Sequence, residues 1–95
     1  MRQLYRYTFD ASVDAADVEV SLLLAIFAAE SLHGEARVRL EASHALDPET
    51  GDCVIDAGGE VGRDFNRLFV GFLRRELGEE VFHVQPVELD RGRVV

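Results

Sequence analysis

Five side chains in this sequence have types and spacings that predict a small polar site on one face of a β-sheet. They are Arg6, Arg37, Arg39, Asp56 and His83. Guanidinium groups bind carboxylates and phosphates through paired hydrogen bonds, so three arginines that share a face predict binding of a small anionic ligand. In an enzymatic version of this site, Asp56 or His83 would transfer a proton.

Few other side chains could act as a nucleophile or a metal ligand. Cys53 is the one cysteine, which excludes an internal disulfide. A hairpin register that pairs Leu46 with Cys53 and His44 with Ile55 makes Cys53 and His44 diagonal neighbours on an apolar face, where a lone cysteine behaves as a small hydrophobic residue. The three histidines fall in separate elements without zinc-ligand spacing. We therefore assign no catalytic residue and expect no cofactor or metal.

The elements that would position these residues follow the order β-α-β-β-α-β. Strands are predicted over residues 3–9, 36–46, 53–57 and 80–87, with helices from Asp14 to about His33 and from about Val61 to a Gly78 cap. Right-handed crossovers place both helices on one face of a four-stranded antiparallel sheet in the order 4-1-3-2, which is a ferredoxin-like α+β fold. Residues 1–87 are predicted to form one domain, followed by a C-terminal tail at 88–95.

The two edge strands of this sheet should be protected against pairing with other chains. Pro86 cannot donate to a strand ladder, so the fourth strand is expected at an edge. Arg37, Arg39 and Glu41 would place charges along the other edge, on the second strand.

The first helix is apolar on nearly two sides, although a helix that lies on a sheet needs only one apolar stripe. The second set consists of Val20, Leu23, Leu24 and Phe27. Either the second helix covers these side chains, or they form a partner interface, most simply in a two-fold homodimer. Gly71, in the middle of the second helix, costs that helix about 1 kcal/mol, which predicts a close helix contact there.

Charge and hydropathy exclude several classes of partner. The chain has 18 acidic and 10 basic residues, a net charge of −8, so we expect no binding to nucleic acid or to anionic membranes. No apolar run approaches the roughly 20 residues that a bilayer requires, and the N-terminus lacks a signal-peptide pattern, so a cytoplasmic location is expected. The leading hypothesis is a small non-catalytic interaction module that acts as a homodimer. The alternative is a small enzyme or anionic-ligand-binding domain that uses the open face of the sheet.

Overall fold

The structure, a computed structural model, describes residues 3–87, so the predicted C-terminal tail at 88–95 lies outside the described residues. The elements follow one another as β1 (Leu4–Phe9), α1 (Ala15–His33), α2 (Glu35–Glu41), β2 (Ser43–Leu46), β3 (Cys53–Asp56), α3 (Glu60–Glu76) and β4 (Phe82–Val87). A short 3₁₀ turn at Glu79–Val81 leads into β4.

The four strands form one antiparallel sheet in the order β2-β3-β1-β4, which is 4-1-3-2 when it is read from the β4 edge. The predicted α+β class and four-stranded antiparallel sheet are therefore confirmed. β4, which contains Pro86, lies at an edge as expected. The described residues form three α-helices where two were predicted, so the two-helix ferredoxin-like arrangement is not confirmed.

The prediction of one long strand over residues 36–46 is wrong in its first half, which forms α2. Arg37 Nε lies 2.9 Å from a Glu41 carboxylate oxygen, and Arg39 Nη2 lies 2.7 Å from one of Glu35. These i,i+4 pairs meet only when the chain is helical. Ala, Arg, Leu and Glu are also strong helix formers, and they outweigh a short alternation of polar and apolar residues.

The hairpin between β2 and β3 has the predicted register. Leu46 pairs with Cys53, and His44 pairs with Ile55. The turn is closed by a hydrogen bond of 2.8 Å from the Asp47 amide to the Asp52 carbonyl. This pairing directs one side of β3 into the core, where Cys53 and Ile55 are fully buried.

Aromatic side chains of β1, α3 and β4 form the centre of the core. The fully buried Tyr7 ring lies 4.9 Å from the Phe69 ring and 6.5 Å from the Phe82 ring, centroid to centroid. The Tyr7 hydroxyl donates a hydrogen bond to Oδ1 of Asn66 on α3. Burial raises the pKa of Tyr7 far above its ordinary value, so the phenol stays protonated and remains a donor. This bond fixes the position of α3 above β1.

Gly62 lies in the first turn of α3, where the helix passes close to the end of β3. A Cβ atom at Gly62 would lie 2.4 Å from the carbonyl oxygen of Asp56 and 3.3 Å from Cα of Ala57. In a close-packed interior, such an overlap is relieved only by moving the helix or the strand. At Gly71, by contrast, a Cβ atom would meet nothing within 4 Å. The close contact predicted at Gly71 is therefore wrong, and it is Gly62 that needs to be glycine.

We expect Gly62→Ala to lower the free energy of unfolding by about 1–3 kcal/mol, because the added methyl group overlaps backbone atoms. Gly71→Ala is the matched control. It should raise that free energy by up to about 1 kcal/mol, because alanine is the better helix former and open space surrounds the site. Urea denaturation followed by circular dichroism measures both changes. Equal effects of the two substitutions would contradict the close approach at Gly62.

Candidate functional site

The five side chains predicted to share the open face of the sheet do not converge. Arg37 and Arg39 lie on α2, and each forms an ion pair with a glutamate of that helix. Their predicted placement on β2 is wrong for the helix-forming reasons given above. For the same reason, Arg37, Arg39 and Glu41 do not place their charges along the β2 edge. The predicted anion site required three arginines on one face of the sheet, and two of these arginines lie elsewhere.

Arg6, Asp56 and His83 do lie on strands, facing away from the core. Asp56 is half-buried, and its Oδ1 accepts hydrogen bonds from the amides of Gly58, at 2.9 Å, and Gln3, at 3.4 Å. It thus binds the backbone where β3 ends. His83 is exposed on β4, opposite Thr8.

A shallow cavity of about 210 Å³ lies at the hairpin end of this open face, and its lining includes Arg6, Asp47 and Asp52. Hydrogen bonds from the backbone amides of Glu49 and Thr50 hold the pKa of Asp47 below its usual value, and the charge of Arg6 lowers it further. Asp47 is therefore ionised at neutral pH. Two carboxylates beside one guanidinium make this cavity unfavourable for an anion.

The other candidate side chains are two histidines and the cysteine, and each lies in a different environment. His33, near the end of α1, contacts Asp64 of α3 at 2.8 Å and lies 3.8 Å from Glu60. His44 is an exposed residue of β2, with its ring centroid 5.6 Å from that of Phe65, and partial burial of the imidazole lowers its pKa. Burial also raises the pKa of Cys53 to about 12, so its thiol is not ionised at neutral pH.

The second apolar side of α1 is exposed, as a partner interface would require. Val20 is 52% exposed, Leu23 51%, Leu24 38% and Phe27 60%. The inward side of the helix carries the buried Val18, Leu22, Ala25 and Ala29. α3 packs against α1 but leaves the second side uncovered, so the expectation that the second long helix covers it is wrong.

A cavity of about 290 Å³ continues this apolar surface towards the edge strand β2. Its lining consists of Glu19, Leu22, Leu23, Ile26, His44 and Leu46. Leu23 belongs both to the exposed side of α1 and to this cavity, so the two features form one surface. Sequence reasoning missed the cavity because its walls come from helix and strand residues about twenty positions apart. The predicted hairpin register was the one available signal, since it placed His44 and Leu46 on the core side.

Comparison with protein-family models, with curated proteins and with solved structures finds no match to this chain. Between residues 3 and 87, no helix has the length and apolar character needed to cross a membrane. Within the same range, no three His, Cys, Asp or Glu side chains are grouped so that they could hold a metal ion.

A thiol reagent distinguishes a buried structural cysteine from a nucleophile. We expect Cys53 to react with such a reagent at least about 100-fold more slowly in the native protein at pH 7.5 than in denaturing urea, because the buried thiol is reached only through transient opening. With a reagent that releases a chromophore when it reacts with a thiol, the absorbance of that chromophore measures both rates. Rapid reaction of the native protein that is lost on His44→Gln would instead establish a cysteine–histidine pair.

Proposed function

We propose that this protein is a small, non-catalytic interaction module that acts as a homodimer, with the exposed side of α1 as its interface. The observation that carries the proposal is the exposure of four large apolar side chains on one side of one helix: Val20, Leu23, Leu24 and Phe27. Contiguous exposed apolar surface on a soluble domain marks an interaction site. A two-fold axis would place this surface against its own copy, so a single patch would cover itself.

The arrangement of charge supports a second copy of the chain as the partner. Glu19 lines the neighbouring cavity, and helical spacing places Glu30 at the same border of the patch and not in its middle. Two copies, each with a net charge of −8, would repel one another across a charged surface. An interface centred on Val20, Leu23, Leu24 and Phe27 brings together the part of α1 where this repulsion is weakest.

The four exposed side chains supply part of the free energy that dimerisation requires. Complete burial of a Val, Leu or Phe side chain contributes about 1.5–3 kcal/mol, so each of the four has roughly 1 kcal/mol still to gain. Eight such side chains in a dimer would contribute roughly 8 kcal/mol, whereas association costs about 4–15 kcal/mol. The cavity beside β2 would add buried apolar area. A micromolar dimer needs about 8 kcal/mol after that cost is met, so the four side chains alone are insufficient. We therefore expect the apolar surface of the cavity to belong to the interface of a dimer that depends on concentration.

The surroundings of the reactive side chains support a non-catalytic role. Cys53 is sealed in the core, His33 contacts Asp64, and the ring of His44 packs near Phe65. The enzymatic alternative needed Arg6, Arg37 and Arg39 to hold an anionic substrate beside Asp56 or His83. Two of these arginines lie on α2, which leaves the alternative without its predicted substrate site.

We expect the wild-type chain to have twice its 10.6 kDa mass in light scattering behind size exclusion, at tens of micromolar and in both low and high salt. The double substitution Leu23→Glu and Phe27→Glu should convert it to a folded monomer, because it places four carboxylates in the apolar interface. Leu40→Glu is the matched control. Leu40 is 84% exposed on α2 and lies outside the patch, so this variant should remain a dimer.

Circular dichroism establishes that each variant is folded before its mass is interpreted. A wild-type monomer at these concentrations would overturn the proposal. So would a double variant that remains dimeric. A dimer that dissociates in high salt would also contradict an apolar interface and would place the contact on charged surface.

A further inference from the structure

The outer flank of α3 forms a cavity of about 150 Å³ against the start of β1. Its lining consists of Gln3, Tyr5, Ala57, Arg63, Asn66 and Arg67. Arg63 and Arg67 are one helical turn apart, and Asn66 lies between them in sequence. Among the residues that the structure describes, none that lines this cavity is acidic, although acidic residues outnumber basic ones in the chain by 18 to 10.

The carboxylates nearest along α3 leave these arginines largely unpaired. Asp64 lies 2.8 Å from His33 on α1 and 4.0 Å from Arg67, so it is held mainly towards α1. Glu60 also approaches His33, at 3.8 Å. Among the described residues, no carboxylate lies within ion-pair distance of Arg63. Arg74, on the same helix, differs in this respect, since its Nε lies 2.8 Å from a Glu79 carboxylate oxygen.

Two other lining side chains, those of Asn66 and Tyr5, each have a hydrogen-bond donor that is not used within the described part of the fold. Oδ1 of Asn66 accepts from the Tyr7 hydroxyl, which leaves the Asn66 amide group as a donor. Nε2 of Gln3 donates to the Tyr5 hydroxyl at 2.8 Å, so the phenolic hydrogen of Tyr5 is available to donate in turn. Two guanidinium groups, an amide and a hydroxyl thus line one small space.

We propose that this cavity is a binding site for a small oxyanion, a phosphate group or a carboxylate. Its donors match oxygens that only accept hydrogen bonds, and two guanidinium groups one turn apart suit a group with several such oxygens. The volume holds a group of this size and not a nucleotide or an extended chain. The site is separate from the proposed dimer interface, with which it shares no residue.

Inorganic phosphate and succinate, added separately at constant ionic strength and pH 7, test the proposal by nuclear magnetic resonance of the ¹⁵N-labelled protein. At least one should cause saturable shifts at the Asn66 side-chain amide and at Nε of Arg63 and Arg67. Saturation with phosphate alone identifies a phosphate ligand, and saturation with succinate alone identifies a carboxylate. Sodium chloride at matched ionic strength should not cause these shifts.

The double substitution Arg63→Gln and Arg67→Gln should weaken binding at least about tenfold, because it removes both charge-assisted donors. Arg75→Gln is the control with the same chemical change. Arg75 lies on α3 but outside the cavity, so binding should stay within about twofold of wild type. Tyr5→Phe, which preserves charge, should weaken binding by a smaller factor.

Three results would overturn the site: shifts that rise linearly with both anions, unchanged affinity in the double variant, or an equal loss in Arg75→Gln. Circular dichroism and the dispersed amide spectrum establish that each variant is folded. Because Arg63 and Arg67 lie outside the α1 patch, these results are independent of the mass measurements on the dimer.

Discussion

The hydrogen bond from Tyr7 to Asn66 is the interaction on which the arrangement of the two layers depends. An acceptor for the completely buried phenol is worth a good deal to the fold, because an unsatisfied hydroxyl in the core costs about 1–3 kcal/mol. The acceptor lies on α3, so Tyr7 of β1 sets the rotation of that helix about its axis. Phe65 and Phe69 then point into the core. The same rotation brings Arg63 and Arg67 to the outer flank, beside β1.

The contact between α1 and α3 determines which side chains of α1 are buried and which are exposed. Its inward side carries the fully buried Ser21, Ala25 and Ala29, which let the two helices approach closely. Among the described residues, the buried Ser21 hydroxyl has no hydrogen-bond partner, which is a cost of about 1–3 kcal/mol at this helix contact. Because α3 occupies this inner side, the larger Leu23 and Phe27 face outwards. The domain therefore exposes the apolar surface that would favour association.

Several features could be predicted from sequence because they depend on local chemistry. The first helix was predicted from Asp14 to about His33, and the Asp14 carboxylate does accept from a backbone amide at the start of α1, that of Ala16, while the helix ends at His33 before Gly34, whose φ is 89°. The hairpin register followed from the requirement for one apolar face. The two apolar sides of α1 were also visible in its residue spacing, although which of them the fold would cover was not.

Other features depended on contacts that sequence spacing does not show. A run of alternating residues favoured a strand at Arg37 and Arg39, whereas their glutamate partners four positions away stabilise a helix. The sequence directed attention to Gly71, but whether a glycine is required depends on how closely α3 approaches β3, and that occurs at Gly62. The donor-lined cavity was missed because Tyr5 and the two arginines of α3 that line it are roughly sixty positions apart in sequence.

The two proposed surfaces can act separately because α3 stands between them. On one flank, α3 packs against α1 and holds Asp64 beside His33; on the other, Arg63 and Arg67 line the cavity beside β1. A dimer formed through the outward side of α1 would bury Leu23 and Phe27 and leave the arginine cavity open to solvent. Anion binding would place charge on the far flank of α3, away from the apolar contact. The dimer interface and the anion site therefore share no side chain, so self-association and ligand binding do not compete. A dimer formed in this way would carry two equivalent anion sites.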